Sequence, residues 1–263
     1  MIYLKKGIKL ILFFIFYLSI SEIVLAKDTK IKYSKGDIAN YFSGIISLNQ
    51  NYTIEGYNFL NKADSLKNKH YNYNIQFIRS LVLLDKFKEA FSYSRKAWNE
   101  NEYFFEADLL LGIDSFLNED FSSAEKYFLR ANKISPDQIL FEDFFGNMLL
   151  SWVKAKTNNK EESYKILDRI PRRYNSLKKI QNSFLKCYFD NLEAETSFSL
   201  LVDGEKTSFS RYDFFTINYL VHKNKISKAK KAIKKSIKNG NNSLLIKQTE
   251  NFILNKEFKK IKN

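Results

Sequence analysis

The sequence predicts an all-α fold, a right-handed α-solenoid of stacked helix hairpins. Three observations carry this. Only 2 Pro and 8 Gly occur in 263 residues, too few for the turns of a sandwich, barrel or propeller. Apolar residues recur at steps of three and four between short polar runs, which is the helix period. The chain also repeats itself every 34 residues, a period that marks stacked units. With 44% hydrophobic residues, 24 Phe and 16 Tyr, there is ample material for a core, which excludes disorder as the main state.

Residues 1–26, MIYLKKGIKLILFFIFYLSISEIVLA, read as a secretory signal peptide. Lys5, Lys6 and Lys9 give a basic start, residues 10–20 an apolar run interrupted by Ser19, and Val24-Leu25-Ala26 a peptidase site. Cleavage after Ala26 would leave an exported, periplasmic chain that begins with a short leader at residues 27–36. The apolar run is shorter than the ~20 residues of a stable span, so a retained N-terminal anchor is the lesser alternative. No cysteine lies near the cut, which excludes a lipoprotein.

Three well-formed units occupy residues 37–137. Ala63, Ala97 and Ala131 share one column of the lattice, Gly56, Ala90 and Ala124 a second, and Phe59, Tyr93 and Tyr127 a third. Gly44, Gly112 and Gly146 form a fourth, with Ile78 in the skipped place, and Phe87 and Phe121 a fifth, with Thr53 in the first unit. Phe121, Ala124, Phe128 and Ala131 fall on one helix face. The small residues let a neighbouring helix approach while the aromatics fill the space beside them. Gly112 does the same on the preceding helix. Asn118-Glu119-Asp120 is a short polar turn, which makes the two helices antiparallel, and Pro136 stops the second. Such a hairpin has more apolar surface than it can bury alone, and stacked neighbours bury the surplus.

These columns, the aromatic before the second helix and Pro136 resemble the tetratricopeptide repeat family, strongly over residues 37–137. A weaker likeness of texture is to the N-terminal part of exported repeat proteins of alphaproteobacteria. Asn40, Asn74 and Asp108 depart from the family's frequent Trp. The resemblance implies a concave groove lined by first helices that grips a peptide or partner helix. In this register the lining is Tyr41, Ile45 and Leu48, then Asn72, Ile75 and Arg79, then Glu106, Leu109 and Ile113, then Asp143 and Asn147. Alternating aliphatic anchors with few charges suit a segment with apolar side chains, and packing is the competing role for each aliphatic one. The family's carboxylate clamp is not reproduced, since Tyr41 and Ile45 stand in its first two places.

Residues 138–201 read as two degenerate units. The fourth opens at Gly146 with an insertion expected in the turn at residues 156–160, and its second helix ends at Pro171. In the fifth, Ala194 and Phe198 repeat the spacing of Ala124 and Phe128. A polar loop at Asp203-Gly204-Glu205 opens residues 202–263, a basic sixth unit followed by a final helix near residues 244–258. Lysines 256, 259, 260 and 262 would give that helix the polar outer face of an array's cap. A truncated longer array is the alternative.

The net charge of +14 is unevenly placed. Residues 223–263 hold thirteen lysines and two glutamates, whereas residues 27–222 hold 27 basic and 26 acidic side chains. Within ISKAKKAIKKSIK, Lys228, Lys230, Lys231, Lys234, Lys235 and Lys238 lie opposite the apolar face. They form either a solvated face or one attracted to an anionic membrane surface or acidic partner. Export, and the lack of aromatics among the lysines, argue against nucleic acid.

No catalytic set stands out. Cys187 follows Phe184 at helical spacing and reads as core; as the one cysteine, it excludes an intrachain disulfide or thiolate cluster. His70 and His222 lack partners at ligand spacing, and there is no phosphate-binding glycine loop or nucleophile elbow. The expectation is a non-enzyme without cofactor, metal or small-molecule substrate, acting as a scaffold for another protein or peptide. Its alternatives are a membrane-surface module using the basic C-terminal helices and a non-catalytic subunit of a cell-envelope complex.

Overall fold

The computed structural model describes residues 33–100, 104–134, 138–203, 210–240 and 243–254. The expected signal peptide, most of the leader, Pro136, Gly204-Glu205 and the lysines at 256, 259, 260 and 262 lie outside the described residues. Those described form helices without a strand. In order they are α1 (Lys35–Asn49), α2 (Thr53–Lys62), α3 (Tyr71–Leu83), α4 (Phe87–Ala97), α5 (Phe105–Leu117) and α6 (Phe121–Ile134). There follow α7 (Asn147–Lys156), α8 (Lys160–Asp168), α9 (Asn175–Tyr188), α10 (Ala194–Asp203), α11 (Ser210–His222), α12 (Ile226–Lys238) and α13 (Leu244–Leu254). The chain divides into two compact units, one ending at Tyr73 and the other beginning at Asn74.

One local device builds every hairpin. Asn51, Asp85, Glu119, Asn158, Asp190 and Asn224 each have φ between 53° and 64°. The next residue's N–H then donates to a carbonyl five positions back, as Tyr52 to Ser47, Lys86 to Leu81, Asp120 to Ser115, Asn159 to Lys154, Asn191 to Lys186 and Lys225 to Leu220 (2.8–2.9 Å). A left-handed residue with this bond closes a helix C-terminus and sends the chain back. Asn and Asp, which tolerate that conformation best after glycine, hold five of these six places.

In the first unit α1 and α2 approach through glycines. A Cβ on Gly44 would stand 2.6 Å from Leu60 Cγ, and one on Gly56 2.7 Å from Leu48 Cδ2. Ala63 is fully buried at the end of α2, and His70 Nδ1 accepts the Tyr73 N–H at 3.1 Å at the start of α3.

In the second unit Gly112 meets Phe128 in the same way, with Ala90, Ala124 and Ala131 fully buried and Ala97 partly open. Successive hairpins share cores. Ala124 and Phe128 pack with Leu150, Val153 and Ile166; Phe144, Ala155, Leu167, Ile170 and Leu185 form the next cluster. A third gathers α9 to α13 around Phe198, Ile217, Ile233, Ile246 and Ile253.

The fourth hairpin corrects the sequence register. Its turn has the standard length, since α7 ends at Lys156 and α8 begins at Lys160, as α5 ends at Leu117 and α6 begins at Phe121. The five extra residues lie upstream, in a wide π-helical lead-in at Gln138–Gly146 that runs into α7. Asn147 Nδ2 donates to the carbonyls of Glu142 (2.8 Å) and Asp143 (3.2 Å) in this stretch. Counted back from the turn, Ser151 occupies the place of Gly44 and Gly112, and its hydroxyl donates to the Ser163 carbonyl at 2.9 Å. Gly146 leaves that column and lies instead against Asn132 of α6, whose Oδ1 fills the space of a Cβ.

Candidate partner-binding surface

The first helices carry the residues expected to line a groove, and the two units are taken separately. In the first, Tyr41 is half-buried in an aromatic group with Phe42, His70 and Tyr73, centroids 5.4–6.2 Å apart. Burial pushes its phenol above the ordinary range. Ile45 is partly exposed and Asn72 exposed. Leu48 is a correction: at 1% exposure it is hairpin core beneath Gly56 and lines nothing.

In the second unit Ile75 is partly exposed and Arg79 exposed on α3. Leu109 and Ile113 of α5 present part of their surface to solvent while packing on the Ala124 and Phe128 cluster. Glu106 stands in the first turn of α5. Its Oε2 is buried without a hydrogen-bond partner among the described residues, and desolvation raises its pKa, offset in part by its own backbone N–H.

The register shift moves the fourth hairpin's contribution. Asp143 pairs with Arg173, and the Asn147 amide is committed to backbone carbonyls, so neither continues the row of Glu106, Leu109 and Ile113. The places equivalent to those three belong to Phe145, Met148 and Trp152. Phe145 is 40% exposed, Met148 is half-buried, and Trp152 donates Nε1–H to Gln181 Oε1 at 3.0 Å. Residues of the Asn-Asn type before α8 were the available signal, because they mark the left-handed turn from which the count should start.

Known structures contain this arrangement of hairpins. A tetratricopeptide repeat protein from Parabacteroides merdae, 14% identical, superposes with a TM-score of 0.58 over 83% of this chain and 84% of that one. PilF of Pseudomonas aeruginosa, also 14% identical, superposes with a TM-score of 0.51 over 82% and 97%. The chain has the tetratricopeptide repeat fold. No family model matches the sequence, and no curated protein matches it. At such identity the likeness carries the fold alone.

Within the tetratricopeptide frame, Asn74 and Asp108 in the Trp column have structural work. Asn74 Oδ1 accepts from the Tyr93 hydroxyl at 2.6 Å. Asp108, fully buried, accepts from Trp98 Nε1 at 2.7 Å and Arg130 Nε at 3.1 Å. Arg130 stacks on the Trp98 ring and donates to the Glu100 carbonyl, which ties the link before α5 to α6. Burial pushes the Asp108 carboxyl up despite these partners. In the sixth hairpin Asp213 holds the same place and accepts from Ser236 Oγ at 2.6 Å.

Cys187 packs against the C-terminal cluster, and burial raises its thiol pKa, the reverse of an activated nucleophile. No group of potential metal ligands occurs among the described residues. A cavity of about 190 Å³ between α10, α11 and α12 is lined by Glu195, Asp213, Thr216 and Lys228 among others. Its polar groups answer one another: Lys225 and Lys228 pair with Glu195, and the Thr216 hydroxyl donates to the Phe198 carbonyl.

Proposed function

We propose that the chain is a non-catalytic scaffold of the cell envelope, exported by its N-terminal segment, that captures a peptide or partner helix on the first helices of its hairpins. The observation that carries this reading is the pairing of open apolar surface at Leu109, Ile113 and Phe145 with a Glu106 oxygen that has no donor among the described residues. A buried acceptor left without a donor costs on the order of 1–3 kcal/mol. A partner that brings an N–H and covers the aliphatic row would remove that cost. The tetratricopeptide fold supports the reading, since its hairpins leave first helices open for such contacts. Whether the partner belongs to a standing envelope complex is a matter of its identity.

The test is capture of partners from an envelope extract by the wild-type chain and by Arg79→Glu with Glu106→Gln. Arg79 is exposed and Glu106→Gln keeps the side chain's size, whereas Ile113 packs against Phe128's cluster and would confound the result. Partner recovery should fall at least tenfold at unchanged helicity; equal recovery removes the groove assignment. N-terminal sequencing of the expressed protein checks export: a chain still starting at Met1 overturns cleavage after Ala26.

A further inference from the structure

The lysines of α12 are not alike. Lys228 is paired with Glu195, and along the same edge Lys223 pairs with Asp190, Lys225 with Glu195 and Lys186 with Glu193. These contacts engage the acids of the α9–α10 hairpin. Lys230, Lys231, Lys234 and Lys238 are exposed, and none of the four meets a carboxylate among the described residues. They follow one another at i, i+1, i+4 and i+8, one helix face about 12 Å long.

We propose that this face adsorbs to anionic lipid headgroups without inserting into the bilayer. Insertion is closed to α12 because its apolar side is already used: Ala229, Ile233 and Ser236 are at most 3% exposed, and Ala232 and Ile237 pack on the same cluster. The outward face therefore offers ammonium groups on flexible stems, with no aromatic or aliphatic anchor between them. That composition disfavours a protein interface, whose centre is depleted in Lys and enriched in Arg and aromatics. It also lacks the stacking rings of a single-strand nucleic-acid site. A bilayer asks for less: its charges are mobile and gather under compact cations, each lysine strengthening the attraction. Lysine, a point charge without arginine's fixed fork, suits a partner with no fixed geometry.

The test is co-sedimentation of the full chain with vesicles of zwitterionic lipid alone and of the same lipid mixed with an anionic one. Retention on zwitterionic vesicles reports whatever residues 1–32 contribute and serves as the baseline. The expected result is retention on anionic vesicles above that baseline, falling steeply with salt. A variant carrying Lys230→Gln, Lys231→Gln, Lys234→Gln and Lys238→Gln should lose it roughly tenfold or more. Because these side chains face solvent, its circular dichroism should match the wild type. Arg79→Glu with Glu106→Gln should leave vesicle binding unchanged, which separates this surface from the groove. Equal retention on both vesicle types overturns the proposal, as does unchanged binding by the lysine variant. Tighter lysine-dependent binding to duplex DNA than to vesicles at equal charge concentration does so too.

Discussion

Glu106 and Asp108 are neighbours in the first turn of α5, and burial raises the pKa of both carboxyls. They differ in company. Asp108 has Trp98 and Arg130, while one Glu106 oxygen has no partner among the described residues. A carboxyl with a raised folded pKa favours the fold in its protonated state, so its contribution is fully present below the unfolded pKa. That contribution is lost as pH rises through the folded value. Glu106→Gln should therefore raise the melting temperature at neutral pH, with the gain shrinking as pH falls through the Glu106 pKa. Thermal melts across an acid-to-neutral series check this; a gain that ignores pH would show that desolvation of the charge is not the cause. The residue scale is also where sequence reading was weakest. Asn74 and Asp108 were visible as departures from Trp, but nothing in the string pairs Asp108 with Arg130, twenty-two residues away.

At the scale of the helix, α12 shows how far periodicity reaches. Spacing puts the apolar face at 226, 229, 233 and 237; Ala229 and Ile233 are buried, Ile226 and Ile237 are half-buried, and the hydroxyl of Ser236 is buried with them. Ile233→Asp places a carboxylate into a site 2% exposed and should cost several kcal/mol, on the order of 3 or more. Lys234→Asp, one residue along on the solvent side, should stay within about 0.5 kcal/mol. Urea unfolding of the two variants distinguishes them, and similar midpoints would mean that α12 is not seated as described. The same scale holds the main misreading. A fixed 34-residue count carried Asp143, Gly146 and Asn147 into columns that belong to Met148, Ser151 and Trp152. The count failed because a helix can absorb extra residues by widening its winding, which leaves no punctuation in the sequence. The turn residues Glu119 and Asn158 keep the true register.

For the whole molecule, contacts run mainly between helices adjacent in sequence, as in α5 with α6, α7 with α8 and α11 with α12. Stability in such an array is a sum of hairpins and their nearest-neighbour interfaces. The last described helix, α13, packs on two preceding helices, α11 and α12, whereas α6 is held from both sides, by its hairpin partner α5 and by the following α7. Amides of α13 should accordingly exchange faster than those of α5 and α6 in a hydrogen-exchange series. Uniform protection would point to a single cooperative block.

The sequence by itself determined the helical class, the hairpin unit, the buried small-residue columns of the early repeats and the concentration of charge in the last 41 residues. Each of these is local or periodic, so side-chain size and spacing along the chain suffice to encode it. Tertiary structure alone decided that Leu48 is core, that Met148 replaces Asp143 in the row, that one Glu106 oxygen lacks a donor among the described residues and which lysines of α12 are already paired. Those depend on which groups from separate helices meet, and one-dimensional spacing does not carry that distance.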